Sequence, residues 1–399
     1  MRIVHLSMLY PPHILGGAER SVAFLAETQA KLGHQVAAAC TTPGAFVKEE
    51  RNGVTVYRMP HETSFWAEEW PKHSKLRRGI RKFMQQFNYK LEDHFGHVLD
   101  EFKPDVVHTH SLVDVSTRVW LAAAKRGIPI VHTLRDYDLM CADASLYHDG
   151  KPCGLKCKVM TYTKHANHRN VAGVAAVGSE TLRLHTSRGY FDHIPKDRQR
   201  VIWNAAAVEG SDGTRPPRSG PFTFGYLGRI NYEKGVGTMI DAARRLPAGD
   251  WRILVAGKAN DSLDPFIEQS KGLPIEFAGF MPAKDFFDAI DVLIVPSIWA
   301  EPLPRTILES YAVGVPSIGA RSGGIPDLIG HDNDGWLYPP GDDAALAERM
   351  GRIMAAGRDA LPSKADFVHV LKETSPEMVA TRYLDFYHDV LAATPALAA

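Results

Sequence analysis

The stretch "GRINYEKG" places Arg229 and Lys234 five residues apart in one turn, between an apolar run and a helix-period segment. Gly228 ends the run, and the helix is expected to begin near Gly235. Two cations beside a helix N-terminus, beyond a strand end, make an anion site. The plainer alternative is two solvated basic side chains. A second stretch, "VPSIWAEPLPRTILESYAVG", carries Glu301 on a loop and Glu309 eight residues later, inside a helix expected to start near Arg305. Proline suits the first helical position, and Pro302 and Pro304 leave Glu301 outside the helix. Carboxylates accept several hydrogen bonds and so suit sugar hydroxyls; a surface glutamate and a helix-dipole glutamate are the alternative. A third stretch, "YPPHILGGAER", sets Gly16 and Gly17 at a helix start. Glycines there let the backbone approach a ligand, or merely turn the chain. The dinucleotide pattern G-x-G-x-x-G is absent.

The elements that must position these residues alternate short β-branched runs with helix-period segments, the pattern of parallel α/β sheets. Expected strands in the first half are "RIVHLSM", "HQVAAAC", "VTVYRM", "DVVHTH", "PIVHTLR", "GVAAVGS" and "RVIWN". The second half restarts with "FTFGYLGR", "WRILVAGK", "IEFAGF", "DVLIVPS", "PSIGA" and "GWLYP". The Gly-, Pro- and Ser-rich segment 209–221 reads as a linker. The expected fold is α/β, two doubly wound Rossmann-like domains facing a cleft: residues 1–208, then 222–399. An amphipathic helix over about 376–393 is able to pack back on the first domain. Ligands in such sheets bind beyond the carboxyl ends of the strands.

Composition narrows the partners. Lys+Arg and Asp+Glu are 46 each, so no nucleic acid is expected, since its binders are usually basic. No apolar run approaches a membrane span. The start "MRIVHLSMLYPP" reads as a strand, not a signal peptide. Four cysteines do not make a disulfide framework. The expected location is the cytoplasm, with a peripheral position on the inner face of the plasma membrane left open.

Taken in order, these motifs resemble the retaining glycosyltransferases of family four, with the GT-B architecture. "GGAER" resembles the first-loop glycines, "GRINYEKG" the family's G-R-x4-K-G, and "EPLPRTILE" its E-x7-E; "GVPSIGARSGGIPDLI" follows as it does there. The resemblance covers nearly the whole chain. It implies transfer of a hexose from a UDP- or GDP-sugar to a glycan, with retention, no metal and no cofactor. The acceptor it suggests is a lipid-linked oligosaccharide on the way to an exopolysaccharide or other polysaccharide. It assigns Arg229 and Lys234 to the donor diphosphate, Glu301 to the transferred sugar and Glu309 to the ribose. Backbone near Leu303 and Arg305 would approach sugar and phosphate, Phe280 and Met281 would flank the base, and Gly16 and Gly17 would lie against the diphosphate. Gly228 belongs to the same donor loop. Two departures stand out. Many members have His where this chain has Arg135, followed by Asp136, which leaves a sugar contact, an acceptor contact or a mutual pair open. Many have Gly where Pro304 stands, so one backbone donor is lost.

Other features carry competing readings. Asp136 and Asp138 form D-x-D, a metal motif of the other large glycosyltransferase architecture, but that fold has a single nucleotide-binding domain. Cys141, Cys153 and Cys157 cluster as C-x11-C-x3-C, not a standard zinc spacing; they read as thiols, with a metal site the lesser alternative. His108, His110 and His132 read as core or cleft-lining side chains, with a base role secondary. Residues 65–82 combine six Lys/Arg with Phe65, Trp66 and Trp70, and suit either an anionic membrane surface or a solvated helix face. Two rival functions remain: a nucleotide-sugar 2-epimerase of the same architecture, and a non-catalytic subunit that binds glycans or sugar nucleotides.

Overall fold

The computed structural model describes residues 1–148, 151–205, 213–214, 216–259 and 262–393. The chain forms two compact units. One comprises Met1–Ala205 and the segment from Pro376 onward; the other runs from Ala206 to Ser375. The second unit is thus shorter at its C-terminal end than 222–399.

The first unit is built on β1 (Arg2–Leu6), β2 (Gln35–Thr42), β3 (Val47–Arg51), β4 (Val54–Pro60), β5 (Val106–Thr109), β6 (Ile130–Leu134), β9 (Gly173–Ala176) and β10 (Gln199–Val201). Between β6 and β9, a small antiparallel pair, β7 (Tyr147–His148) and β8 (Lys151–Pro152), stands apart. The eight-stranded sheet has the order β10-β9-β6-β5-β1-β2-β4-β3. Its inner strands are covered on both faces, so they read as continuous apolar runs and pair in parallel. The order reverses between β1 and β5, leaving a crevice at their carboxyl ends.

β3 was not expected from sequence. "VKEER" is exposed throughout and pairs antiparallel with β4. The signal was the intervening Asn52-Gly53, both at positive φ (49° and 80°), the residue pair that two-residue hairpins favour. Its charges protect an open sheet edge.

The helix Pro376–Ala393 returns to the first unit. Val379, Ala380, Tyr383, Phe386, Tyr387 and Val390 enter the same core as Ile3, Val22, Leu25 and Val36. Six buried side chains at helical spacing hold it there by removing apolar surface from water.

The second unit contains β11 (Phe222–Leu227), β12 (Trp251–Ala256), β13 (Ile275–Gly279), β14 (Val292–Val295), β15 (Ser317–Ala320) and β16 (Leu337–Tyr338). All pair in parallel, in the order β13-β12-β11-β14-β15-β16. The switch point lies between β11 and β14. Of the linker segment, 209–212 and 215 lie outside the described residues. Its end is tied to this unit: Arg358 donates to the Pro221 carbonyl at 2.7 Å and to Asp291 at 2.9 Å.

Candidate active site

In the second unit, the loops after β11 and β14 meet at the switch point. After Leu227 the backbone stays beside β12, with Gly228 N–H donating to Ala256 O and Ile230 N–H to Lys258 O. Tyr226 OH donates to Arg229 O at 2.5 Å. Burial and the Glu301 charge push that phenol up, so it stays a donor. The Arg229 backbone is held while its side chain is exposed, and its guanidinium makes no hydrogen bond or ion pair to a described residue.

Asn231 Oδ1 accepts from Lys234 N–H at 2.9 Å, closing a side-chain turn. Gly235 follows at φ +73°, where a Cβ would lie 1.8 Å from Pro296 O. Only glycine allows the start of the helix Val236–Arg245 to press against the β14 loop. Ile298 N–H and Trp299 N–H complete the seam by donating to Glu233 O at 2.9 and 3.3 Å.

This seam brings two of the sequence-predicted residues into contact. Lys234 Nζ donates to Glu301 Oε2 at 2.5 Å. Ser297 Oγ and Trp299 Nε1 donate to the same oxygen, each at 3.1 Å. The ammonium also lies 5.3 Å from the Trp299 ring centroid, a cation–π contact. Glu301 Oε1 accepts no hydrogen bond from a described residue, so its lone pairs remain for a ligand. The loop after β15 fixes the backbone: Gly324 N–H donates to Glu301 O at 2.7 Å, and a Cβ on Gly323 (φ +58°) would fall 2.0 Å from that oxygen.

Arg305 opens the helix Arg305–Ala312 and pairs with Glu309 one turn on, at 3.4 Å. Pro304 is the residue before the helix rather than its first residue, and Leu303 is buried beneath the loop. Phe280 and Met281 follow β13, at the far edge of the sheet order; Phe280 is 77% exposed and Met281 half-buried.

Gly16, Gly17, Arg135 and Asp136 belong to the first unit. Gly16 caps the helix Gly17–Lys31, its N–H donating to Glu19 Oε2 at 2.9 Å. Its backbone is extended, and an added Cβ would meet its first neighbour at an ordinary 3.7 Å, so packing does not require glycine there.

Arg135, just past β6, is seated in a buried hydrogen-bond chain. Its Nε donates to His110 Nδ1 at 3.2 Å and its Nη1 to Asn204 Oδ1. An arginine can only donate, so His110 must carry its proton on Nε2 and donate to His5 Nδ1 at 3.0 Å. His5 Nε2 then donates to Gln29 Oε1 at 2.8 Å. Gln29 Nε2 reaches Tyr387 OH at 3.4 Å, which meets His108 Nδ1 at 2.5 Å; His108 Nε2 meets Thr133 Oγ1 at 2.6 Å, and that hydroxyl donates to Tyr383. Burial, reinforced by the Arg135 charge, lowers the His5 pKa to about 4 and holds His108 and His110 well below the usual imidazole value. His132 bonds Thr109 Oγ1 and is lowered by burial to about 3. These histidines are neutral structural groups, as the core reading expects.

Asp136 accepts from Ser111 Oγ and from Asp138 N–H. Burial and the Asp138 charge push its carboxyl well above the carboxylate range. Asp138 is buried too, yet its pKa is lowered by the Lys164 ammonium at 2.8 Å. Half of the D-x-D pair is thus neutralised by an internal lysine. His5, Gln29, Asn204, Tyr383, Tyr387, Ser297 and Trp299 were missed by the sequence reading. The available signal was His5 in register with His108 on adjacent strands.

The basic segment needs correcting. Phe65 and Trp66 are buried in the protein and cannot anchor in a membrane. Arg81 is sequestered in a bidentate pair with Asp114 at 2.7 and 3.1 Å, and Lys82 pairs with Asp143. The helix Lys75–Gln85 instead turns polar Arg81 and Gln85 inward and exposes Leu76, Ile80, Phe83 and Met84, with Phe87 just beyond. Among the described residues, no helix is long and apolar enough to cross a membrane.

Residues 16–205 match the family described as glycosyl transferase 4-like domain, and residues 221–356 match glycosyl transferases group 1. An uncharacterized 42.6 kDa protein in the cps region of Klebsiella pneumoniae is 27% identical over 332 residues, 82% of this chain and 87% of that one. The putative colanic acid biosynthesis glycosyltransferase WcaL of Escherichia coli K12 is 33% identical over 148 residues, 34% of this chain and 36% of WcaL. The crystal structure of Anabaena Alr3699/HepE in complex with UDP aligns with a TM-score of 0.71 at 16% identity, covering 98% of this chain and 100% of that one. At that identity the likeness shows the fold alone.

Proposed function

Because the chain belongs to the group 1 glycosyltransferases of GT-B architecture, we propose that it moves a hexose from a UDP- or GDP-sugar to a glycan acceptor, with retention of configuration, in polysaccharide biosynthesis. The observation that carries this reading is the Lys234–Glu301 pair at the switch point, with Arg229, on the Lys234 loop, exposed and without a side-chain partner among the described residues. The guanidinium of Arg229, on the same loop as the Lys234 ammonium, is a place an anion fits. A diphosphate arriving there draws Lys234 and Arg229 to itself. Glu301, relieved of the ammonium and still held by Ser297 and Trp299, then turns both oxygens toward sugar hydroxyls. As the sugar–phosphate bond breaks and the acceptor–sugar bond forms, the two cations stabilise charge growing on the leaving diphosphate. The acceptor hydroxyl proton passes to that phosphate. Glu309 receives the ribose, and the exposed Phe280 offers a face to the base. No step needs a metal.

HepE binds UDP in its crystal structure, which supports a nucleotide-sugar donor here, and WcaL is named a putative colanic acid biosynthesis glycosyltransferase, which supports a polysaccharide product. The outward apolar face of the helix Lys75–Gln85, flanked by Lys72, Lys75 and Arg77, suits an anionic bilayer and so a lipid-linked acceptor. A panel of nucleotide sugars followed by thermal shift identifies the donor, since a ligand of the native state raises the melting temperature. Product anomers read by NMR then test retention. A donor converted to its 2-epimer without acceptor would replace this reading.

A further inference from the structure

Beyond the Arg135–Asp136 turn, outside the histidine network, three cysteines converge. One Sγ from each of Cys141, Cys153 and Cys157 lies within 4.8 Å of the others, and none is in a disulfide. Cys141 sits in the turn after β6, its N–H donating to Tyr137 O at 2.9 Å and its carbonyl accepting from Ala144 N–H at 3.0 Å. Cys153 precedes the helix Leu155–Met160, which contains Cys157; the β7–β8 pair reverses the chain between the two places.

Apolar packing does not account for this convergence. The large apolar side chains of the returning segment, Leu155, Val159 and Tyr162, are exposed, whereas Cys141 and Cys157 are buried. The segment turns Cys157 inward, leaves Cys153 half-buried and turns its hydrocarbon outward. Tetrahedral zinc with Zn–S bonds of ~2.3 Å sets its sulfurs ~3.8 Å apart. The observed spread therefore needs side-chain adjustment of about 1 Å or less.

We propose that Cys141, Cys153 and Cys157 bind one zinc ion as three thiolates and thereby staple the turn after β6 to the helix Leu155–Met160. Soft sulfur ligands select zinc over magnesium or calcium. Uptake releases three protons, one from each thiol, and changes no oxidation state, so affinity rises with pH. The role is positional. Cys141 closes the turn that begins with Arg135 and Asp136, and Lys82 braces that turn from outside by donating to Ala142 O and to Asp143 Oδ1 at 3.0 Å. No step of sugar transfer runs through the ion.

The test uses the full chain, purified reduced and without chelator. Elemental analysis should find about one zinc per chain, and exchange with cobalt(II) should give the intense thiolate-to-cobalt charge-transfer absorption of a tetrahedral site. Cys153→Ser, at the most accessible position, should weaken zinc binding at least tenfold while circular dichroism stays that of the parent. Cys157→Ser is the second such variant. Cys40→Ala, on β2 and outside the cluster, should keep the metal. A reduced, folded chain that takes up neither zinc nor cobalt would overturn the proposal, as would a native disulfide among the three or full zinc affinity in both serine variants. Nucleotide binding to the second unit is a separate readout, so this idea and the transferase reading can fail independently.

Discussion

The two strand-end crevices differ in how completely their charges are satisfied. At β11 and β14, Lys234 is paired, but Arg229 and one oxygen of Glu301 have no partner among the described residues. Around the β1–β5 crevice, Arg135, just past β6, is the head of a chain through His110, His5, Gln29, Tyr387, His108 and Thr133 in which each group has a partner. Unfinished polar groups at a crevice are suited to a ligand, whereas a closed buried network fixes its members. Under the proposed function the open groups of the second unit are those a donor would engage, whereas the first unit's histidines position Arg135 and fasten the C-terminal helix.

Variants can break that contrast. The largest effect is expected for Lys234→Ala: transfer should fall by ~10²–10³-fold, the scale of losing one transition-state donor, while the melting temperature barely moves. Glu301→Gln comes next. Its kcat/KM should fall ~10–100-fold if one charged contact to the sugar weakens, yet a nucleoside diphosphate without sugar should bind as tightly or more tightly, because the competitor for Lys234 has lost its charge. Weaker diphosphate binding in that variant would erase the proposed exchange of partners.

In the first unit the same kind of change should act on stability. Tyr387→Phe leaves His108 Nδ1 buried without its partner and should cost about 1–3 kcal/mol, read by denaturant unfolding, with nucleotide affinity unchanged. Acid sharpens the contrast further. His5 is neutral when folded, with a pKa lowered to about 4, and burial holds His108 and His110 well below the usual imidazole value too. The unfolded chain takes up these protons near pH 6.5, so the stability they confer is present above that pH and lost as pH falls toward 4. Limited proteolysis between pH 7 and 5, with fragments mapped by mass, should open the first unit before the second. Equal opening would mean that the histidines do not set its stability.

The same contrast explains what was legible in the sequence. The second site comes from contiguous loops in which Gly235, Lys234 and Glu301 are each demanded locally, by a helix start or a strand end, so "GRINYEKG" and "EPLPRTILE" pointed to it. Its strands followed from alternating apolar runs; their order in the sheet did not. The histidine network draws on β1, the helix Gly17–Lys31, β5, β6 and a helix some 250 residues away; none of those polar residues announces its partner. β3 escaped because an exposed, charged edge strand lacks the buried pattern that marks the others. Sequence placed the aromatics of 65–82 outward, whereas the fold buries Phe65 and Trp66 and exposes Leu76 and Ile80.

The most direct measurement is a calorimetric titration of the parent chain and Lys234→Ala with UDP, GDP and the corresponding nucleosides. Lys234→Ala should lose at least tenfold in affinity for whichever diphosphate the parent prefers, with its weak nucleoside binding unchanged. Equal diphosphate affinity in the two proteins, or an equal loss for nucleoside and diphosphate, would contradict an ammonium that leaves Glu301 to hold the pyrophosphate.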